Sequence, residues 1–209
     1  MTDKIKVFTI SDHPLMSSGV AHTMRTIIGA LIKSDKFSVH SFGGAIKHND
    51  YSVVKTEEFG DDWVIQPVDG FGTQEMVRSF LRTQRPDILL FQSDPRFYHW
   101  LLEISNEVRP LLPTAWYGIW DNYPYPMYNK SIWGSNDQFV SISKVTHDIV
   151  NTVCPDLDNA YIPHSVDYRT FRPIPKENLT EFAENYFPTL EDDRFVVYWN
   201  NRNARRKMS

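Results

Sequence analysis

The sequence predicts an α/β fold, a parallel sheet flanked by helices. Short β-rich runs alternate along the chain with segments whose apolar residues recur at helical spacing. After Asp87, the run Ile-Leu-Leu-Phe91 is continuously apolar rather than alternating, as in a strand buried on both faces. Apolar residues make up 41% of the 209 residues and aromatic residues 14%, enough for a substantial core.

Ile5–Ile10 is a β-rich run, followed at once by the loop Ser11-Asp-His-Pro-Leu-Met-Ser-Ser-Gly19. Val20, Met24, Ile27, Ile28, Leu31 and Ile32 then trace one face of a helix over 20–33. Phe37–Phe42 is a second strand, which Gly43-Gly44 is expected to stop. Residues 45–72 are less patterned, with short strands expected near Tyr51–Val54 and Trp63–Val68. Thr73 caps a helix whose face is Met76, Val77, Phe80 and Leu81, and Pro86 closes it. Beyond the strand at 87–91, Phe97, Trp100, Leu101 and Ile104 give a helix over 96–107. Thr114–Tyr117 and Gln138–Ile142 are strands, and Lys144–Val153 is a helix ending before Pro155. Ala160–Ile162 is a last short strand before Pro163. A crossing marked by Pro163, Pro173 and Pro175 leads to a helix over 178–186 and a strand over 194–199.

Charge and cysteine content narrow the function classes. The net charge of −4 argues against nucleic acid as a partner of the whole chain. Arg202, Arg205, Arg206 and Lys207 crowd the last nine residues without an acid, so residues 1–200 carry −8. A basic knot at the end of an acidic chain suits phosphate binding, an exposed tail or the edge of a further domain. The single cysteine, Cys154, forbids an intrachain disulfide and fits a reducing compartment. The densest apolar stretch, Leu111–Trp120, is too short for a membrane span, and no signal-peptide apolar region precedes Ser11. A cytoplasmic protein is expected. The seven histidines show no metal-ligand spacing, and no metal is predicted.

Ligands of parallel sheets sit beyond the carboxyl ends of the strands. That rule selects Ser17-Ser18-Gly19, Gly43-Gly44, Ser93-Asp94, Trp120-Asp121-Asn122, Ser141, Ser143 and His164. Gly19 opens a helix, where free amides favour an anion; the same residues also make a plain turn and cap. Neither the dinucleotide-binding nor the phosphate-loop glycine motif is present. The aromatic residues Trp116, Tyr117, Trp120, Tyr123, Tyr125, Tyr128 and Trp133 suit a sugar-stacking platform and core packing equally.

The segment Tyr161-Ile-Pro-His-Ser-Val-Asp-Tyr-Arg-Thr-Phe-Arg-Pro173 is the most specific in the chain. It resembles the Ile-Pro-Asn/His-Gly-Val-Asp-x-x-x-Phe-x-Pro signature of family-4 glycosyltransferases, with Ser165 where glycine is usual. Phe195-Val-Val-Tyr-Trp-Asn-Asn-Arg202-Asn-Ala-Arg-Arg-Lys207 resembles the first strand and loop of that family's second domain. There an arginine is followed by a lysine five residues on. The Ser11–Gly19 loop, Arg85-Pro-Asp-Ile-Leu-Leu-Phe91 and Phe139-Val-Ser-Ile-Ser-Lys144 are similar to further family segments, in family order.

The resemblance implies the N-terminal half of a GT-B enzyme. A Rossmann-like, acceptor-side domain would occupy 1–175, with a linker helix and the start of a donor domain over 176–209. It implies retaining transfer from a nucleotide sugar, the donor being substrate, with no cofactor or metal. The acceptor would be a glycan, a lipid or another molecule. Arg202 and Lys207, with Ser18 and Gly19, would hold the donor diphosphate; a solvated tail is the other reading of the basic pair. Many relatives place a His-Asp pair near the sugar. Here the pair is Trp120-Asp121, so Asp121 alone carries over, as a group orienting a hydroxyl or as a turn residue. Asp94, Trp120, Ser143 and His164 would face the acceptor cleft. The family's Glu-x7-Glu motif is not in the sequence, so a C-terminal domain or a separate chain carrying it is an expected partner. Three outcomes are open for the strand at 195–199: disorder from about Pro188 onward, docking on its own domain, or pairing with a second copy in a homodimer, with an ordered segment favoured by its apolar content. A rival reading is a non-catalytic Rossmann-like binding or scaffold module.

Overall fold

The computed structural model describes residues 4–188, 197, 199 and 200. Its first half runs β1 (Ile5–Asp12), α1 (Gly19–Lys33), β2 (Phe37–Gly44), β3 (Val54–Lys55), β4 (Trp63–Pro67) and α2 (Gln74–Gln84). There follow β5 (Ile88–Gln92), α3 (His99–Glu103), α4 (Ser105–Val108), β6 (Thr114–Gly118) and α5 (Lys130–Trp133). β7 (Gln138–Ser141), α6 (Lys144–Val153), β8 (Asp158–Tyr161) and α7 (Thr180–Tyr186) complete the described elements. The strands form one sheet in the order β3-β4-β2-β1-β5-β6-β7-β8. Every neighbouring pair is parallel except β3 with β4. The α/β class read from the sequence is the class of the structure.

Apolar side chains cover both faces of the sheet. On one face Phe8, Ile10, Phe42, Phe91, Trp116 and Phe139 pack with residues of α2, α3, α4 and α6. On the other, Val7, Val39, Trp63 and Ile65 pack against Met24, Ile28 and Ile32 of α1. The alternation of Val7 with Phe8 between these clusters is the period-two pleat of a strand buried on both sides. The chain divides into two compact units, Met1–His164 and Ser165–Ser209. The first holds the whole sheet. In the second, a 3-10 turn at Lys176–Asn178 precedes α7, whose Phe182 and Tyr186 rings lie 4.7 Å apart.

Several boundaries differ from the sequence reading. Gly43 and Gly44 do not stop β2 but continue it to its end, in register with Ser11 and Asp12. Glycine is needed there for close approach: a Cβ on Gly43 would lie 2.5 Å from His13 Cδ2, and one on Gly44 2.8 Å from the Gly70 carbonyl oxygen. The single helix expected over 96–107 is two short ones. The break falls at Ile104, where ψ is 16° while the side chain stays buried. Both pieces bury one shared face, so their apolar spacing reads as continuous. β8 starts at Asp158, earlier than the apolar run suggests, because Asp158 and Asn159 pair with Gln138 and Phe139. The strand expected over 194–199, apart from residues 197 and 199, lies outside the described residues, as do Arg202 and Lys207.

Candidate functional site

The carboxyl ends of β1, β5, β6, β7 and β8 lie side by side along one edge of the sheet. β1 and β5 form its switch point: strand order runs from β1 through β2 and β4 to β3, and from β5 through β6 and β7 to β8. At such a point the connecting loops part and leave a crevice.

Asp12 occupies this point, at the end of β1 and opposite Gly44 of β2. Strand alternation puts it on the face that carries Phe8 and Ile10. Its carboxylate accepts a hydrogen bond from Ser18 Oγ at 3.4 Å and from Ser93 Oγ at 3.3 Å. Ser18 is also the N-cap of α1, its Oγ accepting from the Ala21 amide at 3.1 Å. Burial pushes the Asp12 carboxyl above the ordinary aspartate range, with Ser93 and Ser18 opposing in part. Among the described residues, Asp12 has no ion-pair partner.

The neighbours of Asp12 are buried polar groups. The Tyr98 ring is 1% exposed and its hydroxyl forms no hydrogen bond. Burial first, and then the charge of Asp12, hold that hydroxyl protonated far above the ordinary tyrosine range. A Cβ on Gly44 would come within 3.1 Å of the hydroxyl, so glycine lets it lie against the β2 backbone. His13 Nδ1 accepts from the Leu15 amide at 3.2 Å, which leaves the proton of the neutral ring on Nε2. Burial, then the nearby His48, pushes the His13 pKa down; the two rings are 5.3 Å apart.

Further along the edge, Ser143 caps α6, accepting from the Thr146 amide at 3.0 Å. Thr146 Oγ1 accepts from the Trp120 amide at 3.1 Å and donates to the Trp120 carbonyl at 2.9 Å. Its proton being so placed, the 3.0 Å contact between the two hydroxyls is donated by Ser143. Trp120 is thereby pinned, half-buried, against the core. Asp121 beside it is exposed. His164, also exposed, donates its backbone N–H to the Ile142 carbonyl at 3.3 Å, and its Nδ1 lies 3.4 Å from the Tyr117 hydroxyl. Asp94 does not join Asp12. Arg96 Nε donates to both its oxygens at 2.9 Å, and that pairing holds the Asp94 carboxyl below the usual range.

The sequence-predicted residues Ser18, Gly19, Asp94, Trp120, Asp121, Ser143 and His164 thus all follow parallel strands at one end of the sheet. They fall into separate hydrogen-bonded groups: Ser18 with Asp12 and Ser93, Trp120 with Thr146 and Ser143, and His164 with Tyr117. The aromatic residues divide. Trp116, Tyr117 and Trp133 belong to the core, while Tyr123, Tyr125 and Tyr128 are exposed. Sequence reasoning missed Asp12 and Tyr98. The strand-end rule would have reached Asp12, two residues past the β-rich run; Tyr98 gave no signal, lying inside the expected 96–107 helix but off its expected apolar face.

A cavity of about 250 Å³ opens at the opposite, amino end of the strands, among Arg109, Lys130, Asp137 and Cys154. There Arg109 Nε donates to Asp137 Oδ1 at 2.8 Å, so the charges satisfy one another. Among the described residues, no group of three or more His, Cys, Asp or Glu side chains is placed to hold a metal ion. No described helix is long and apolar enough to cross a membrane.

No protein-family model and no curated protein matches the sequence. Solved structures do. A glycosyltransferase from Rickettsia africae is similar over 88% of this chain and 50% of its own, with 12% identity and a TM-score of 0.55. A sucrose-phosphate synthase from Thermosynechococcus elongatus is similar over 88% of this chain and 97% of its own, at 10% identity and TM-score 0.53. A structure described as trehalose-6-phosphate from E. coli bound with UDP-2-fluoro glucose is similar over 86% and 54%, at 10% identity and TM-score 0.51. The chain therefore spans about half the length of the first and third of these proteins. At such identities the likeness is one of fold.

Proposed function

We propose that this chain is the acceptor-side, N-terminal half of a glycosyltransferase that draws on a nucleotide sugar and transfers with retention. The observation that supports the reading is the strand-order switch between β1 and β5, with Asp12 at its carboxyl end, set in a fold shared with a glycosyltransferase and with a protein bound to UDP-2-fluoro glucose. A half-buried carboxylate without a counter-ion is costly in a mere scaffold and favours a ligand site over a non-catalytic module.

In this reading the Gly19 amide offers a phosphate a point of approach, since nothing lies within 4 Å of where a Cβ would stand. Ser18 acts beside it as the helix cap, its hydroxyl holding the Ala21 amide, rather than as a direct ligand. Arg202 and Lys207 add charge-assisted hydrogen bonds to the leaving diphosphate, whose stabilisation is the main electrostatic demand of the reaction. Asp121 orients an acceptor hydroxyl, and Asp94, Trp120, Ser143 and His164 serve the acceptor cleft. The donor is a substrate, and neither metal nor cofactor takes part. The partner is a donor-binding domain, on the same chain or another, in the cytoplasm.

The test is transfer. The complete gene product that carries these residues should move sugar from one of a panel of nucleotide sugars to simple glycosides over many turnovers. Residues 1–209 by themselves should not. Failure of the complete product with every donor overturns the reading.

A further inference from the structure

The Asp12 carboxylate, at the carboxyl end of β1, is only partly satisfied. An ionised carboxylate offers about four acceptor positions, and strong O–H···O⁻ bonds measure about 2.5–2.7 Å. Asp12 has two partners from side chains, Ser93 at 3.3 Å and Ser18 at 3.4 Å. Both are long. Beside it sits the Tyr98 hydroxyl, 1% exposed as a residue and close to Ser93 without a well-formed hydrogen bond to it. A half-buried carboxylate with acceptor positions to spare and a buried donor near it, at a strand-order switch, are groups that a bound molecule would complete.

The chemistry of that molecule is limited by what surrounds it. A phosphate would meet the Asp12 charge, while the arginines of the flanking segments are engaged elsewhere: Arg25 donates to the Pro14 carbonyl at 3.4 Å, and Arg96 is forked onto Asp94. A metal ion would find one carboxylate and hydroxyls; no described group of three ligating side chains exists. A neutral hydroxyl-bearing molecule meets neither obstacle. Its O–H groups donate to Asp12, and its oxygens accept from Ser93 or Tyr98.

We infer that Asp12, with Ser93 and Tyr98, forms a recognition pocket for a vicinal diol of a neutral carbohydrate or cyclic polyol, and that this is where the acceptor is held. Resting on the transferase reading, this names the acceptor class and a residue that selects it. Asp12 grips one hydroxyl of the diol. Ser93, between Asp12 and Tyr98, fixes the direction of approach. Discrimination follows from the buried polar groups: an analogue lacking the hydroxyl leaves the carboxylate shielded and unpaired, a larger loss than the bond itself contributes.

The experiment uses the 209-residue chain and ligand-observed NMR with methyl α-D-glucopyranoside, myo-inositol, inorganic phosphate and magnesium ion as separate probes. One of the polyols should bind, and Asp12→Asn, which keeps the shape of the side chain, should weaken it at least tenfold. Ser93→Ala should weaken it several-fold. Binding to the wild type should fall as acid protonates Asp12, and the Asp12→Asn chain should lack that fall. Binding of neither polyol, polyol binding as tight in both variants as in the wild type, or displacement of the bound polyol by phosphate or magnesium overturns the inference. Its failure is distinct from that of the transferase reading. Transfer by the complete gene product with polyol binding indifferent to Asp12 removes only the pocket, and an Asp12-dependent polyol site without transfer removes only the enzyme.

Discussion

The imidazole of His13 lies across Gly43 so closely that a Cβ there would stand 2.5 Å from Cδ2 and 3.3 Å from the His13 Cα. The end of β1 and the end of β2 are thereby fitted to one another, side chain to bare backbone, beside Asp12. Gly43→Ala should force the ring or the strand to move and cost about 1–3 kcal/mol, the range for overpacking a closed interior. Urea denaturation measures it. A change below 0.5 kcal/mol would show that the ring can yield freely.

Thr73 and Ser143 cap their helices with the same geometry, each accepting from the amide three residues on. Removing either hydroxyl by alanine should cost about 1 kcal/mol. The consequences should then part. Ser143→Ala also releases Thr146 and the Trp120 backbone it holds, so backbone amide exchange near Trp120 should quicken. Thr73→Ala should leave it alone.

Two imidazoles, His13 buried and His40 half-buried, set a pH dependence. Burial lowers the pKa of His40, whose ring stands 4.6 Å from Phe80, and burial followed by His48 lowers that of His13. A histidine held neutral binds fewer protons folded than unfolded. Stability is thus whole above the ordinary value of about 6.5 and drops as the pH falls through and below it. Asp12 acts in the opposite sense: its folded pKa is raised, so its ionisation costs stability as pH rises above the ordinary aspartate value. Urea midpoints from pH 8 to pH 5 should therefore fall, His40→Leu should flatten the slope, and Asp12→Asn should raise the midpoint at pH 7. A wild-type midpoint unchanged between pH 8 and pH 5 would contradict the assignment to the histidines.

In the complete gene product, Arg202→Ala should weaken nucleotide-sugar binding or turnover by about 1.5–3 kcal/mol, as for a hydrogen bond to a charged group. Unchanged donor kinetics would return Arg202 to a solvated tail.

Much of this was legible in the chain because the strongest signals are periodic. The apolar face at Met76, Val77, Phe80 and Leu81 and the cap at Thr73 lie on α2 as expected, and Lys144–Val153 is helical to the residue. What failed did so where one residue type serves two ends. Gly43 and Gly44 read as a stop, since glycine's commonest use is a turn. Here it gives His13, the Gly70 carbonyl and Tyr98 room against a strand. The candidate site was half visible. Strand-end position marks Ser18, Ser93 and Ser143, but burial of Asp12 and the orphan hydroxyl of Tyr98 depend on partners 81 residues apart in sequence, such as Asp12 and Ser93.

The two margins of the sheet are unlike. β3 is two residues long and antiparallel, too short to template an incoming strand, and Lys55 on it is tied to Asp61. β8 is four residues long and runs parallel to β7, with Asn159 anchored to Ser141 and Asn151. Whatever lengthens this sheet, by evolution or by engineering, has a footing at one margin only. A strand added at β8 would be remote from the β1–β5 switch point, with β6 and β7 between, whereas β3 offers an incoming strand two residues to pair with.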